Sequence, residues 1–459
     1  MSTNNDMNAE LMNYINVLLK KAEDFGFSES EVYYESGKSM QLQVLNGAIN
    51  AFESSSTAGL SFRGKCFNQM GYAFSEELSD QSIDYVLSQA KEHCRILETK
   101  EPETLYKGDD QYRKSESYSE SIDQLQYQYY ADTALAIEKN IFEYDPRIVA
   151  VDYLFVSYGS SREIIVNSLG LNCSNTNNYI SVFAYARCKE NDQVKTGYAQ
   201  WIGRDPQKLD VEQIAAEAAS DCLAKLGASP ITSGKYQVIL DARAAADLLS
   251  TFSGIFSGDL IQKGFSLLAG KIGTQIASDV ISIRDDGYMP SALVSVPFDS
   301  EGVATKNKVL IDKGTLVSVL HNRKTAAIEQ IETTGNGFRS GLKGSVTVMP
   351  TNLYIENGAK TLAELMNVMQ DGIYIKDLAG LHSGANEVSG DFSLSCEGFL
   401  IQNGVIARPI DQITISGNLF TMLRNISAVA NDLYMSPPSA QGSIGSPSLL
   451  MHDMSISGD

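Results

Sequence analysis

The scarcest groups able to do acid–base or metal chemistry in this chain are four histidines, His93, His321, His382 and His452. No two are close in sequence. A catalytic zinc takes three Cys, His or carboxylate ligands and keeps an open position for water, and no local spacing here supplies that set. His93 falls on a polar stretch of helix and His452 in a terminal strand, so both read as non-catalytic. The polar, glycine-rich runs carry more candidates: His321-Asn322-Arg323 after a strand at Thr315 to Leu320, Thr334 to Arg339, His382-Ser383-Gly384, Gly390 to Ser393, and Gly417-Asn418. Loops at strand ends hold binding residues because the sheet fixes them. Asn, Asp and Gly also serve turn geometry alone, and both readings stay open. Arg323 and Arg339 either grip a peptide carboxylate by paired hydrogen bonds or pair with structural acids.

Asp285-Asp286 and Asp299-Ser300-Glu301 place acids together. They read as solvated turns, with a metal or acid–base site as the lesser alternative. No G-x-S-x-G elbow exists, and Gly442 to Ser446 is turn text. A G-x-G-x-x-G loop and regular βαβ spacing are both absent, which argues against a nucleotide-binding core. The cysteines Cys66, Cys94, Cys173, Cys188, Cys222 and Cys396 form no C-x-x-C pair and read as reduced, packed thiols of a cytoplasmic protein.

The elements that must position these residues follow from periodicity. Leu11, Ile15, Leu18, Leu19 and Ala22 mark a helix that Gly26 ends. Met40, Leu42 and Val44 alternate with Gln41 and Gln43 as in a strand, and Asn46-Gly47 is a hairpin signal. Ala58 to Phe67 reads as a strand and Ser79 to Cys94 as a helix. Residues 98–116 read as a linker. The same order then recurs: helix at Ile122 to Ile137, strands at Ile148 to Tyr158, Glu163 to Asn167, Ser181 to Arg187 and Gln193 to Trp201, helix at Leu209 to Leu226. The order hints at duplication, but the residues are too dissimilar to name a repeat. Beyond Gly234 come a strand at Tyr236 to Leu240, a helix-like stretch from Ala244 to Gly264, and strands joined at Asp312-Lys313-Gly314, Asn357-Gly358 and Asn403-Gly404, with a short helix at Leu362 to Met369.

The expected fold class is α+β: N-terminal helix/antiparallel-sheet units followed by a sheet-rich mixed C-terminal domain. The expected domains are 1–97, 117–228 and 234–459, the first two either separate or one N-terminal superdomain. A length of 459 residues requires more than one core. The formal net charge of −20 repels nucleic-acid backbones, and no basic cluster offsets it. The first ten residues lack a basic start and an apolar core, so no secretory signal is expected there. No apolar run is long enough to cross a membrane as a helix.

Several ordered runs resemble the TldD/PmbA family, in its PmbA (TldE) branch. They are Pro297 to Gly302, Leu320 to Ala326 with Thr334-Gly335-Asn336, Asp377 to Gly384 with Gly390 to Ser393, Ile415 to Asn418, and Gly445 to Leu450. With a weaker N-terminal similarity they cover nearly the whole chain. The resemblance implies a cytoplasmic metallopeptidase-like protein. TldD-like members hold zinc with H-E-x-x-x-H on a helix and a later cysteine. PmbA-like members pair with them in a heterodimer that degrades small or unfolded peptides, and members are also named modulators of DNA gyrase. The family's fold implies a peptide groove in the C-terminal domain, with His321, Arg323, Asn336, Arg339, His382, Asp391 and Asn418 as peptide-binding candidates.

The stretch Ala244 to Gly264 contains no histidine and no glutamate. Anchored on Gly258-Asp259 and the Ala269 to Gly273 run, the family's ligand positions fall at Leu249, Ser250 and Gly254. Leucine cannot bind zinc, glycine has no side chain, and serine is a poor ligand at neutral pH. Beyond Cys396 there is no further cysteine. The resemblance therefore implies no metal and no catalytic residue in this chain. Zinc belongs to a TldD-like partner, and this chain helps form a peptide-binding chamber, with a homodimer as a further possibility in isolation. The alternatives are a stand-alone metallopeptidase with a non-standard site, or a non-enzymatic peptide-binding modulator of gyrase-directed toxins.

Overall fold

Period-two burial builds the N-terminal half. In the strand Glu29–Leu45 (β1), Val32, Tyr34, Leu42 and Val44 face one side, and Glu31, Tyr33, Glu35 and Gly37 the other. Five more strands complete a wholly antiparallel sheet: Ala48–Cys66 (β2), Gln69–Ser75 (β3), Ile148–Asn167 (β4), Asn172–Glu190 (β5) and Gln193–Gly203 (β6), in the order β3-β2-β1-β4-β5-β6. The β1–β2 hairpin turns on Asn46 and Gly47, both at positive φ, as the Asn-Gly pair predicts. The two strands expected at Ile148 to Tyr158 and Glu163 to Asn167 are one strand, running on through Gly159-Ser160-Ser161. This computed structural model describes residues 2–96, 104–289, 292–439 and 442–459.

β1 and β4 pair from Glu31 opposite Asn167 to Gln43 opposite Phe155, so residues on both sides of the 98–116 segment share one sheet. Helices Ser2–Asp24 and Asp80–Ile96 cover the β1–β3 half, packing Ile15, Leu18, Val86 and Leu87 on Val32 and Phe62. Helices Tyr127–Tyr144 and Val211–Ala224 cover the β4–β6 half, packing Ile137, Ile141 and Ile214 on Leu154 and Val182.

The two halves repeat each other in detail. In the first, Cys94 on the second helix donates to the Gln69 carbonyl, which lies opposite Cys66. In the second, Cys222 on the equivalent helix donates to the Lys195 carbonyl, which lies opposite Cys188. One glycine lets each helix approach its strand. A methyl at Gly71 would stand 1.9 Å from the Ala90 carbonyl oxygen, and one at Gly197 would stand 2.3 Å from that of Ala218. Ala90 and Ala218 each precede their cysteine by one helical turn.

In the C-terminal half the strands Gly234–Leu240, Gly372–Ala379, Asp391–Gln402, Val405–Asn418 and Leu449–Ser457 pair in a ring, closed where Thr414, Ile415 and Ser416 meet Ser457, Ile456 and Ser455. Closure removes free edges. A second sheet includes Ile283–Asp286, Asn307–Asp312, Asn352–Ile355 and Ser443–Ser446. The helix Ala242–Thr251 packs against Ser443–Ser446 and Gly372–Ala379 and buries Ala244, Ala245, Leu248 and Leu249. The fold is α+β. Among the described residues no helix is long and apolar enough to cross a membrane.

Three local expectations are corrected. The stretch Ala244 to Gly264 is not one helix: it ends at Thr251, turns as a 3-10 segment at Ser253–Phe256, and restarts at Gly258–Gln262 with Ser257 as cap. Ser257, a good cap, and the glycines at 254 and 258 break the run. Asn357-Gly358 is no hairpin: Gly358 donates to Ala430, where a methyl would strike the Val429 carbonyl. Residues 98–103 lie outside the described residues, but 104–116 form a strap rather than a free linker. Tyr112 donates to the Gly302 carbonyl at 2.6 Å, and Asp109 accepts from the Ala304 amide at 2.7 Å.

Candidate functional site

The end of the Ala242–Thr251 helix opens on a cleft of about 510 Å³. Ser250, Thr251, Ser253, Gly254 and Ser257 supply a hydroxyl-rich part of its lining, Leu260, Leu320, Val348 and Pro350 an apolar part, and His382 and Glu387 an imidazole and a carboxylate. Asp241 fixes the start of that helix by accepting from the Arg243 amide at 3.0 Å, and Tyr374 donates to the same carboxylate. The helix ends because Ser253 turns its hydroxyl back to the Ser250 carbonyl at 2.8 Å. Gly254 is tightly placed: a methyl there would lie 3.2 Å from Leu260 Cδ1 and 3.4 Å from Glu387 Oε2. Of Leu249, Ser250 and Gly254, the last two line the cleft and Leu249 packs in the core.

The loop bearing Glu387 is held from behind by Asp391 and Asn418. The Asn418 amide donates to the Ser389 carbonyl and to Asp391, both at 2.9 Å, while its oxygen caps the helix Leu419–Asn425. Hydrogen bonds from Asn418 and Ser389 hold the Asp391 carboxyl below the usual carboxylate range. These two residues position a cleft wall and do not line it.

The other candidates form a polar hub outside the cleft lining. His321 is buried, its Nδ1 is 3.2 Å from the Thr325 hydroxyl, and burial lowers its pKa against the pull of Glu329. A methyl on Gly258 would sit 2.5 Å from that ring. Asn336 is fully buried, donating to Asp285 at 2.8 Å and to the Met349 carbonyl at 2.9 Å. Arg323 reaches the strap, donating to Thr104 at 2.9 Å and stacking over Tyr106. Arg339 crosses to the N-terminal sheet, donating to Ser61 at 3.1 Å and lying over Tyr33.

The paired acids are not solvated turns. Asp285 and Asp299 are fully buried. Asp285 accepts from the Thr351 amide at 2.6 Å and pairs with Lys308 at 3.0 Å. Asp299 accepts from the amides of Glu301, Val303 and Gly337 at 2.8–3.0 Å, and Glu301 accepts from that of Arg323 at 2.8 Å. Burial, then repulsion between the two, pushes the Asp299 carboxyl up to about 8. No sequence signal separated such buried acids from turn acids, because their partners come from distant segments.

The geometry can be set beside known proteins. Family models for PmbA/TldA metallopeptidase domain 1, central domain and C-terminal domain match residues 30–94, 117–226 and 233–458. The chain belongs to the PmbA/TldD metallopeptidase family. A solved Thermotoga maritima structure, named for the modulation of DNA gyrase, is 30% identical and superposes with a TM-score of 0.89 over 97% of this chain and 100% of its own. The structure of TldE from Thermococcus kodakarensis, at 23% identity, shares the fold with a TM-score of 0.89 over 97% and 100% of the two chains. A metalloprotease of Methanocaldococcus jannaschii is 26% identical over 87% of this chain and 89% of its own length. In this PmbA/TldD-family chain the signature runs at Pro297 to Gly302 and His321 to Asn336 build the hub beside the cleft.

The donor set tests whether the family's zinc fits here. A catalytic zinc needs three protein ligands. The cleft lining offers one imidazole, His382, and one carboxylate, Glu387, beside Ser250, Ser253, Gly254 and Ser257. Among the described residues no three His, Cys, Asp or Glu side chains converge as a metal site. The residues do not fit a catalytic zinc.

Proposed function

We propose that this chain is a PmbA/TldE-type subunit of a cytoplasmic TldD/TldE metallopeptidase complex. The zinc belongs to a TldD-like paralogue, and this chain supplies part of the peptide-binding chamber. The observation that carries the reading is the cleft at the end of the Ala242–Thr251 helix. It is lined by hydroxyls, apolar side chains, one imidazole and one carboxylate. Such a lining can hold a peptide: hydroxyls meet main-chain amides, the apolar wall takes a side chain, and Glu387 meets an ammonium or amide donor. Without a third ligand it cannot hold the metal that would activate water, so no hydrolytic step is assigned to this chain.

The test mixes purified chain with a TldD-like paralogue and measures zinc content and cleavage of an unfolded peptide. Cleavage should require both proteins, and this chain alone should carry well under one zinc per molecule. Gly254→Phe should lower cleavage by the pair at least about tenfold by filling the cleft, while the complex still forms. Stoichiometric zinc lost on His382→Ala, or cleavage by this chain alone, would favour a stand-alone enzyme. A stable pair without cleavage would favour a non-enzymatic peptide-binding modulator.

A further inference from the structure

The cleft at the end of the Ala242–Thr251 helix is one-sided in its hydrogen bonding. Thr251 donates its hydroxyl hydrogen to the Asp247 carbonyl at 3.0 Å, and Ser253 donates to the Ser250 carbonyl at 2.8 Å. Toward the cleft these two hydroxyls keep lone pairs alone. Main-chain donors of the lining are engaged likewise. The Leu260 amide goes to the Ser257 hydroxyl at 3.5 Å, the Leu320 amide to the Phe256 carbonyl at 2.8 Å and the Met349 amide to the Asn336 carbonyl at 3.0 Å. Pro350 has no amide hydrogen. No lysine or arginine lines the cleft. Its one carboxylate, Glu387, has no ion-pair partner among the described residues. The polar part of the lining therefore offers acceptors and lacks a cation. A ligand that satisfies it brings donors and positive charge.

The carboxylate and the apolar part of the lining converge at Gly254. From the place a β-carbon would take there, Glu387 Oε2 is 3.4 Å away and Leu260 Cδ1 is 3.2 Å away. Charge and apolar surface thus meet within the span of one residue. An α-ammonium and its side chain branch from one carbon and match that spacing. A lysine side chain instead holds its ammonium at the end of four methylenes. The formal net charge of −20 draws cationic ligands toward the chain. We propose that this cleft takes the free amino terminus of a peptide whose first residue is aliphatic, with the α-ammonium on Glu387 and the side chain against Leu260. This rests on reading the cleft as peptide-binding, and it adds which end of the peptide enters and which residue selects it.

The experiment titrates the full chain with three probes and follows binding by calorimetry. The probes are leucyl-glycyl-glycinamide, its N-acetylated form, and acetyl-glycyl-lysyl-glycinamide. The free leucyl peptide should bind at least about tenfold more tightly than its acetylated form. That preference should shrink as salt is raised, because Glu387 is exposed. Glu387→Gln should remove the preference and leave the affinity for the acetylated peptide unchanged, a split that a merely structural role would not produce. Equal affinity for the free and acetylated leucyl peptides, or an unchanged preference in Glu387→Gln, would overturn the proposal and leave the peptide-binding reading in place. Tighter binding of the lysyl probe than of the leucyl one would also overturn it, and would assign the carboxylate to a side-chain ammonium. A chain that binds none of the probes overturns it as well, and the cleavage assay of the pair then judges the peptide-binding reading by itself.

Discussion

At the scale of single residues, burial decides roles that residue type leaves open. Glu35 and Glu163 stand directly opposite on β1 and β4. Burial, and then the neighbouring Glu35, raises the Glu163 carboxyl to about 7, opposed by a hydrogen bond from Tyr33. A carboxyl raised in the folded state contributes its full stability below its unfolded pKa, near 4.3, and loses it as pH rises through 7. Glu163→Gln should therefore match the wild type near pH 4.5 and exceed it by on the order of 2 kcal/mol at pH 8. Urea denaturation at the two pH values reads this directly. An equal difference at both would assign the effect to packing. The same logic explains Asn336 and His321: a polar type marks them as candidates, and burial among donors and acceptors makes them parts of the hub.

At the scale of elements, the duplicated helix-on-strand contact is the sharpest feature. Gly71 and Gly197 are required by close approach, since β-carbons there would overlap helix backbone. Gly71→Ala and Gly197→Ala should each destabilise by about 2–4 kcal/mol, from the shift forced on the covering helix. Their effects should add, because the helices they meet belong to separate hydrophobic clusters, Ala90 and Cys94 to one and Ala218 and Cys222 to the other. Denaturant midpoints of the two single variants and the double variant check both statements. The broken helix teaches a related lesson. The run from Ala244 to Gly264 has helical periodicity, yet Gly254 and the Ser257 cap divide it, and the division opens the cleft. Ser253, Gly254 and Ser257, small enough to let a helix approach a sheet, line that opening instead.

At the scale of the whole molecule, charged contacts bind the N-terminal sheet unit to the C-terminal domain. Lys225 meets Asp221, Asp377 and Glu397 at 3.2, 2.8 and 2.9 Å. Burial works against its charge, and the carboxylates outweigh it, so its pKa rises. Lys225→Met leaves three acids facing one another and should cost about 2–3 kcal/mol, a value reduced from fully buried pairs because Asp377 and Glu397 are partly exposed. Thermal and urea unfolding monitored at the single Trp201 would show it as a lower midpoint. A midpoint unchanged from wild type would mean that Arg243, which also pairs with Asp377, compensates alone.

The sequence by itself determined the class of the fold, the helix–strand–helix order of each N-terminal unit, the Asn46-Gly47 hairpin, the helix Leu362–Met369 and the family. These depend on local periodicity, turn chemistry and ordered motifs, which neighbouring residues carry. Only the tertiary structure decided that the signature acids are buried, that the strap at 104–116 is docked, that the two N-terminal units repeat one contact, and that His382 rather than His321 lines the cleft. Each of those facts rests on partners brought together from distant parts of the chain. Periodicity records which side of an element is buried, and it carries no record of what lies against that side.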